Sequence, residues 1–514
     1  LTTLEWIIGL LLGAVVLSAL ARKVKVPYPT FLAIAGVMLA FVPAVPSWTL
    51  DPELTLALFV APVLLDAGYD TSLRDLRNNW LPVSTLVVIA VAVTTIAVAI
   101  VARRLVPDMP WSAAAALGAI VAPPDAAAAV AILRQVKLPY RLLKVLEGES
   151  LLNDASALLI YRTAVGAAAM THLAWREIAP SVALSLAGSP IAGYVAAKIW
   201  LRLTPRVNDA PTAIILQFAG TFTIWIAAER LGLSAILTTV VYAVTLARTA
   251  PARTPARLRV PSYAVWETAV FMLNVLAFML IGMQLRPIWI QLDDTVRLHY
   301  AEVAGCVLAV IIVVRILWVA VYGLIMRLLT AKGLLRQSLA TGGPTLKGGI
   351  VVGWCGMRGI VTLASAFALP EGFPYRELIL LTACSAVLGT LVLQGLTLRP
   401  LILMLRLQDD SPVALEVARA RGVAFRAALE EIDGDPSEAA DLLRQEYREL
   451  LMQADGSPDG GIAATELPAD PLRRRAIRAA RNAILGLRNS EEIGDDAFHQ
   501  IEEELDRAEL SAEG

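Results

Sequence analysis

Thirteen mostly apolar stretches, each close to the length that spans a bilayer, fill the first 405 positions of this chain. A helix needs about 20 apolar residues to cross the hydrocarbon core. The stretches run 5–21, 28–45, 53–69, 80–102, 111–133, 143–170, 178–201, 211–229, 233–247, 264–285, 301–326, 347–369 and 375–405, the third and ninth being the shortest. Apolar residues run all round most of them, as burial in lipid or protein demands. A barrel would instead show alternating ten-residue strands. The sequence therefore predicts an all-α integral membrane protein with thirteen transmembrane helices. Of its 514 residues, 57% are hydrophobic and 17% charged, against roughly a quarter charged in soluble proteins. A disordered chain, a nucleic-acid binder and an ordinary cytosolic enzyme are excluded. Cys306, Cys355 and Cys384 all lie in apolar stretches and form no disulfide framework. The first apolar stretch follows Glu5 with no basic region before it, unlike a cleaved leader.

The net charge of −1 hides a split. Residues 409–514 carry 25 Asp/Glu and 12 Arg, whereas residues 1–408 carry 20 Asp/Glu and 32 Lys/Arg. The boundary separates a transmembrane domain, 1–408, from an acidic tail, 409–514. In the tail, helical spacing over 413–432, 437–453, 470–488 and 496–510 predicts solvated helices. Loops after odd-numbered spans, with the C-terminal flank, hold 21 Lys/Arg; loops after even-numbered spans hold 7. Basic residues accumulate on the cytoplasmic side. The bias predicts a multi-pass protein of the cell inner (plasma) membrane, with the N-terminus outside and the tail in the cytoplasm.

Two spans are interrupted. Span five contains Ala122-Pro123-Pro124-Asp125, and span twelve contains Gly353-Trp354-Cys355-Gly356-Met357-Arg358-Gly359. Paired prolines cannot continue a regular helix, and three glycines around a charge mark an unwound stretch. Divided as six, one and six, both interruptions fall in the fifth span of a half, and the odd single span inverts the second half. Transporters hold their sites where such matching helices break. The expectation is two inverted six-helix repeats with crossed broken helices near the midplane.

An ionisable side chain at membrane depth costs several kcal/mol and marks a functional site. Asp125 lies in the first break and Arg358 in the second. Span six reads Glu147-Gly148-Glu149-Ser150-Leu151-Leu152-Asn153-Asp154. Ser150 and Asp154, four apart, share a helix face; Glu149 and Asn153 share the adjacent one. Asp125, Asp154, Ser150, Asn153 and freed carbonyls are hard oxygen donors, suited to Na⁺ or Li⁺. No His or Cys cluster favours zinc, copper or iron, and no cofactor is implied. Desolvation and a like charge nearby both disfavour an ionised carboxylate, so such a group can take a proton near neutral pH. A site that holds either a cation or protons, but not both, exchanges one for the other. Arg stays charged and locks one carboxylate in the ionised state; Glu149 is the expected partner of Arg358. An intramembrane aspartyl protease would place Gly directly before one Asp, and neither Asp125 nor Asp154 has it. A channel or a non-transporting cation or pH sensor on the same scaffold is the remaining alternative. Asp66 and Asp70 line a funnel or cap a helix. Arg162 makes a helix-end contact or gates, and Arg315 is an interhelical donor.

The stretch from Leu146 to Asp154 resembles the signature of the monovalent cation–proton antiporters, in the branch of sodium/proton exchangers and bacterial NhaP-type antiporters. Gly356-Met357-Arg358-Gly359 is similar to that family's Gly-Leu-Arg-Gly stretch. The stretches 62–69 and 280–285, ending in Gln284-Leu285, also match, so the likeness spans residues 1–408. The resemblance implies that Asp154 is the central cation- and proton-binding carboxylate, with Asp125 and Ser150 as further ligands. It implies a Glu149–Arg358 ion pair. Asn153 stands where the electrogenic branch carries an Asp, which implies electroneutral exchange. Some members place Thr before the Asp of span five; here Pro124 offers only its carbonyl. Spans 4–6 and 11–13 would form a moving ion-transport core, and spans 1–3 and 7–10 the scaffold of a homodimer, in an elevator movement. The implied substrates are a monovalent cation and H⁺, serving pH and sodium homeostasis, with Na⁺ and K⁺ both open.

Overall fold

The computed structural model describes residues 2–24, 26–42, 52–125, 129, 138–169, 175–204, 207–254, 256–332 and 345–407, with scattered positions between 423 and 452. The helices expected over 470–488 and 496–510 lie outside the described residues, as does nearly all of 126–137. Among the described residues all regular structure is helical. The chain separates into two compact units, Leu1–Asp410 and Ser411–Gly514. Every described position of the second unit except Pro436 is helical.

The first unit opens with α1 (Thr2–Val24), α2 (Tyr28–Ala40) and α3 (Pro52–Thr55). A π-helical turn over Leu56–Val60 joins α3 to α4 (Ala61–Tyr69). The short α5 (Leu73–Asn78) leads to α6 (Trp80–Leu105), which carries a second π-helical turn over Thr85–Ala90. Then come α7 (Trp111–Val121), α8 (Tyr140–Ala169), α9 (Trp175–Leu203), α10 (Ala210–Arg230) and α11 (Ala235–Arg253). The last are α12 (Ala256–Met283), α13 (Leu285–Gln291), α14 (Asp294–Ala331), α15 (Leu346–Trp354), α16 (Ile360–Phe367) and α17 (Arg376–Leu405).

Among the described residues, six helical runs are long and apolar enough to cross a membrane: Trp80–Leu105, Val182–Leu203, Ala210–Arg230, Leu258–Gln291, Asp294–Ala331 and Arg376–Leu405. Their burial ranks them. The most apolar window of α17 is 72% buried, against 22% for those of α9 and α10, so α17 is an inner helix and the other two are peripheral. The outward faces of the peripheral helices are apolar, with Ile191, Val195, Ile199, Ile215 and Ile226 exposed. Exposed apolar surface on this scale marks a membrane contact.

Two packing features position the interior. Helices α2 and α12 meet main chain to main chain. A Cβ placed on Gly36 would strike the Met279 carbonyl oxygen, and one on Gly282 the Ala33 carbonyl oxygen. Small residues let helices approach this closely. Separately, an apolar seam joins Leu151, Leu152, Ala155 and Leu158 of α8 and Val361 and Ala364 of α16 to Val60, Leu64, Ala228, Leu233, Ile236 and Val240. The two π-helical turns sit beside the same helices, one on α16 and one on α8. Such turns are frequent at functional sites.

Candidate functional site

Helix α7 ends at Val121 because Pro123 and Pro124 cannot donate to the ladder. Helix α15 ends at Trp354, and the chain stays non-helical from Cys355 to Gly359 before α16 begins. The two interruptions meet. The Asp125 backbone N–H donates to the Met357 carbonyl at 2.6 Å. Gly359 lies directly against the Asp125 side chain, where any Cβ would overlap its carboxylate. Helix α8 closes the third side: Asn153 Nδ2 donates to the Pro124 carbonyl at 2.5 Å. Segments from spans five, six and twelve thus converge on a few residues.

A helix leaves its last carbonyls without intrahelical partners, and its C-terminus carries partial negative charge. Each broken helix resolves this with an arginine. Arg358 donates from Nε to Val121 O at 3.0 Å and from Nη2 to Ala122 O at 3.2 Å, covering the end of α7. It also donates to the Gly356 carbonyl, and its own backbone N–H donates to Thr390 Oγ1 at 3.0 Å. Arg315, from the middle of α14, donates from Nε to Val352 O at 3.2 Å, near the end of α15. Arg358 is 1% exposed and Arg315 4%.

The structure corrects the expected ion pair. Glu149 joins Arg315, not Arg358, through Oε1–Nη1 at 2.6 Å and Oε2–Nη2 at 2.9 Å. Glu149 is 2% exposed, so the pair is dry. The physical reason is the arginine that each partner can face. Arg358 sits inside its break and turns toward the carbonyls of α7. Arg315 rises from an unbroken helix packed against both α15 and α17 and reaches the carboxylate across the interior. The sequence did carry a signal, since a lone Arg in the middle of an apolar span pairs with a buried acid or with backbone carbonyls.

The faces read from helical spacing hold. Glu149 and Asn153 are buried, while Ser150, Asp154 and Asp125 are only partly covered. Asp125 and Asp154 lie within electrostatic range of each other. No hydrogen bond from a described residue reaches the Asp154 side chain. The Asn153 Oδ1 oxygen is buried and has no hydrogen-bond partner among the described residues. The Asp125 carboxylate, the Asn153 amide and the Pro124 carbonyl therefore meet at the crossing of the two breaks, while the two buried arginines are committed to main-chain carbonyls and to Glu149. Such an all-oxygen set suits a small monovalent cation and its rival, the proton. Among the described residues no cluster of three His, Cys, Asp or Glu could hold a resident metal. Asp66 is half-buried and Asp70 exposed at the end of α4; Gln284 is buried at the end of α12.

The profile of the sodium/hydrogen exchanger transmembrane family matches residues 8–404. A sodium, potassium, lithium and rubidium/H⁺ antiporter of Bacillus pumilus is 27% identical, covering 94% of this chain and 74% of that protein. A low-affinity Na⁺/H⁺ antiporter of Synechocystis, NhaS1, is 29% identical over 84% of this chain and 80% of its own. The solved structure of the sodium proton antiporter MjNhaP1 from Methanocaldococcus jannaschii superposes with a TM-score of 0.61. It is 14% identical and covers 79% of this chain and 98% of that one, which is a likeness of fold.

Proposed function

The chain belongs to the sodium/hydrogen exchanger family, and from that premise we propose how its buried oxygens carry out the exchange. It is a transporter, not an enzyme, and it exchanges monovalent cations for protons across a membrane. Asp154 is the group that both substrates occupy. Asp125, Ser150, the free Oδ1 of Asn153 and the Pro124 carbonyl complete the cation's shell. The observation that carries this reading is the meeting of the two broken stretches at Asp125, beside the helix that carries Asp154, which puts Asp125 and Asp154 forward as a pair of like charges. Such a pair is relieved by binding a cation or by binding a proton. Glu149 is held by Arg315.

Around this centre the reading extends to thirteen spans in two inverted six-helix repeats, the N-terminus outside and the tail in the cytoplasm. The apolar seam is the surface on which α8 and α16 slide against α4, α10 and α11, in an elevator movement. A scaffold built on α2 and α12 supports a homodimer. With Asn153 in place of a third titrating carboxylate, one cation exchanges for one proton without net charge. Na⁺ is the first expected cation. K⁺ is the second reading, since the Bacillus pumilus relative is named for sodium, potassium, lithium and rubidium.

The decisive test is cation-driven proton movement in proteoliposomes of the purified protein, read with an internal pH dye beside ²²Na⁺ and ⁸⁶Rb⁺ uptake. Exchange that survives unchanged in Asp154→Asn overturns the site. Cation current without proton coupling indicates a channel, and neither transport nor current indicates a sensor.

A further inference from the structure

We propose that Arg162 is the latch that closes the site on one side of the protein: its guanidinium, carried by the moving helix α8, engages the α10–α11 loop at Leu233, beside Glu229 and Glu53. Arg162 lies two helical turns beyond Asp154 on α8. Its Nη1 donates to the Leu233 carbonyl at 3.4 Å.

The receiving loop is built to stay in place. Gly232 takes a φ of 70°, a left-handed turn that favours glycine. The Leu233 N–H bonds Ala228 O at 2.9 Å, and the Ser234 N–H bonds Ser189 Oγ of α9 at 2.9 Å. The buried Leu233 side chain packs on Gly188, also on α9. The carbonyl that Arg162 grips is therefore fixed to α9, α10 and α11 together.

Charge strengthens the grip. Glu229, half-buried in the last turn of α10, lies within electrostatic range of Arg162 and of Glu53 of α3. The guanidinium thus offsets part of the repulsion between these two acids. Below this point the seam between α8 and the α10–α11 side is apolar. Apolar contact is non-directional and lets surfaces slide with little preference for one register. A directional bond at the seam's edge supplies that preference, and Arg offers five donors in a fixed fork for it. In the arrangement seen here the latch is shut. When α8 moves, the fork leaves the loop and the acid pair is uncovered.

The proposal rests on the antiport reading, and its test keeps the two apart. Sided ²²Na⁺ uptake is measured in right-side-out and everted membrane vesicles carrying wild type, Arg162→Gln, Arg162→Lys or Glu229→Gln. Releasing the latch favours the opposite state. Arg162→Gln then lowers the KM for cation offered from the Leu233 side and raises it from the other, by about fivefold each, the low end of conformational coupling. Glu229→Gln shifts both in the same senses but less, and Arg162→Lys restores wild-type values in part. An unchanged KM on both sides, or shifts in one direction on both, overturns the latch. A wild type that exchanges nothing overturns the antiport reading itself and takes the latch with it.

Discussion

Glu149 and Arg315 form a two-pronged ion pair across 166 positions of sequence, with contacts of 2.6 and 2.9 Å and both side chains buried. Removing one member leaves the other charge stranded in the interior. Breaking such a pair costs about 3–5 kcal/mol, whereas replacing both members with apolar residues is often neutral. Glu149→Gln or Arg315→Met alone therefore lowers the melting temperature of the detergent-solubilised protein sharply. The double variant Glu149→Met/Arg315→Met recovers most of it. A partner swap with Arg358 does not, because that guanidinium is committed to the carbonyls of Val121 and Ala122.

Gly359 has no room for a side chain, since a Cβ there overlaps the Asp125 carboxylate. Gly359→Ala displaces that carboxylate while leaving the Glu149–Arg315 pair intact. Exchange falls and the KM for cation rises, while membrane insertion and thermal stability change far less than for the Glu149 variants. A Gly359→Ala protein with wild-type KM removes Asp125 from the cation's shell.

The proposed competition at Asp154 gives the pH dependence a definite sign. Protons bound at the site exclude the cation, so the KM for cation rises as pH falls, while the maximal rate at saturating cation stays nearly constant. Uptake measured from pH 6 to 9 over a range of Na⁺ concentrations separates the two. A maximal rate that drops with a fixed KM points to a proton acting elsewhere.

Asn153 donates to the Pro124 carbonyl, a bond that an ionised carboxylate cannot make. Asn153→Asp therefore loosens the broken stretch except where the new carboxyl is protonated, and its activity moves toward acid pH. The proposed electroneutral exchange predicts a wild-type rate indifferent to an imposed membrane voltage. A strong response to voltage contradicts electroneutral exchange.

Local chemistry made much of this site legible in the sequence. Pro123 and Pro124 announce the end of α7, and three glycines announce the stretch after α15. The spacing of Glu149, Ser150, Asn153 and Asp154 assigns two faces, one buried and one partly open. The partner of Glu149 was not legible. Spacing along a helix says nothing about which of two arginines on other helices arrives at a given depth. That choice follows from α14 running unbroken past α15, a tertiary fact. The bond from Asp125 to Met357 was hidden for the same reason, because it joins two backbone groups that no side-chain pattern encodes.

The contact between Gly36 and Gly282 leaves α2 and α12 no cushion of side chains between them. Two rods touching spine to spine cannot slip or rock without their backbones colliding. They behave as a single girder, and a change of shape elsewhere in the molecule is worked against it. Engineering that seeks a looser or faster protein has nothing to gain at this joint, where one added methyl group would pry the girder open.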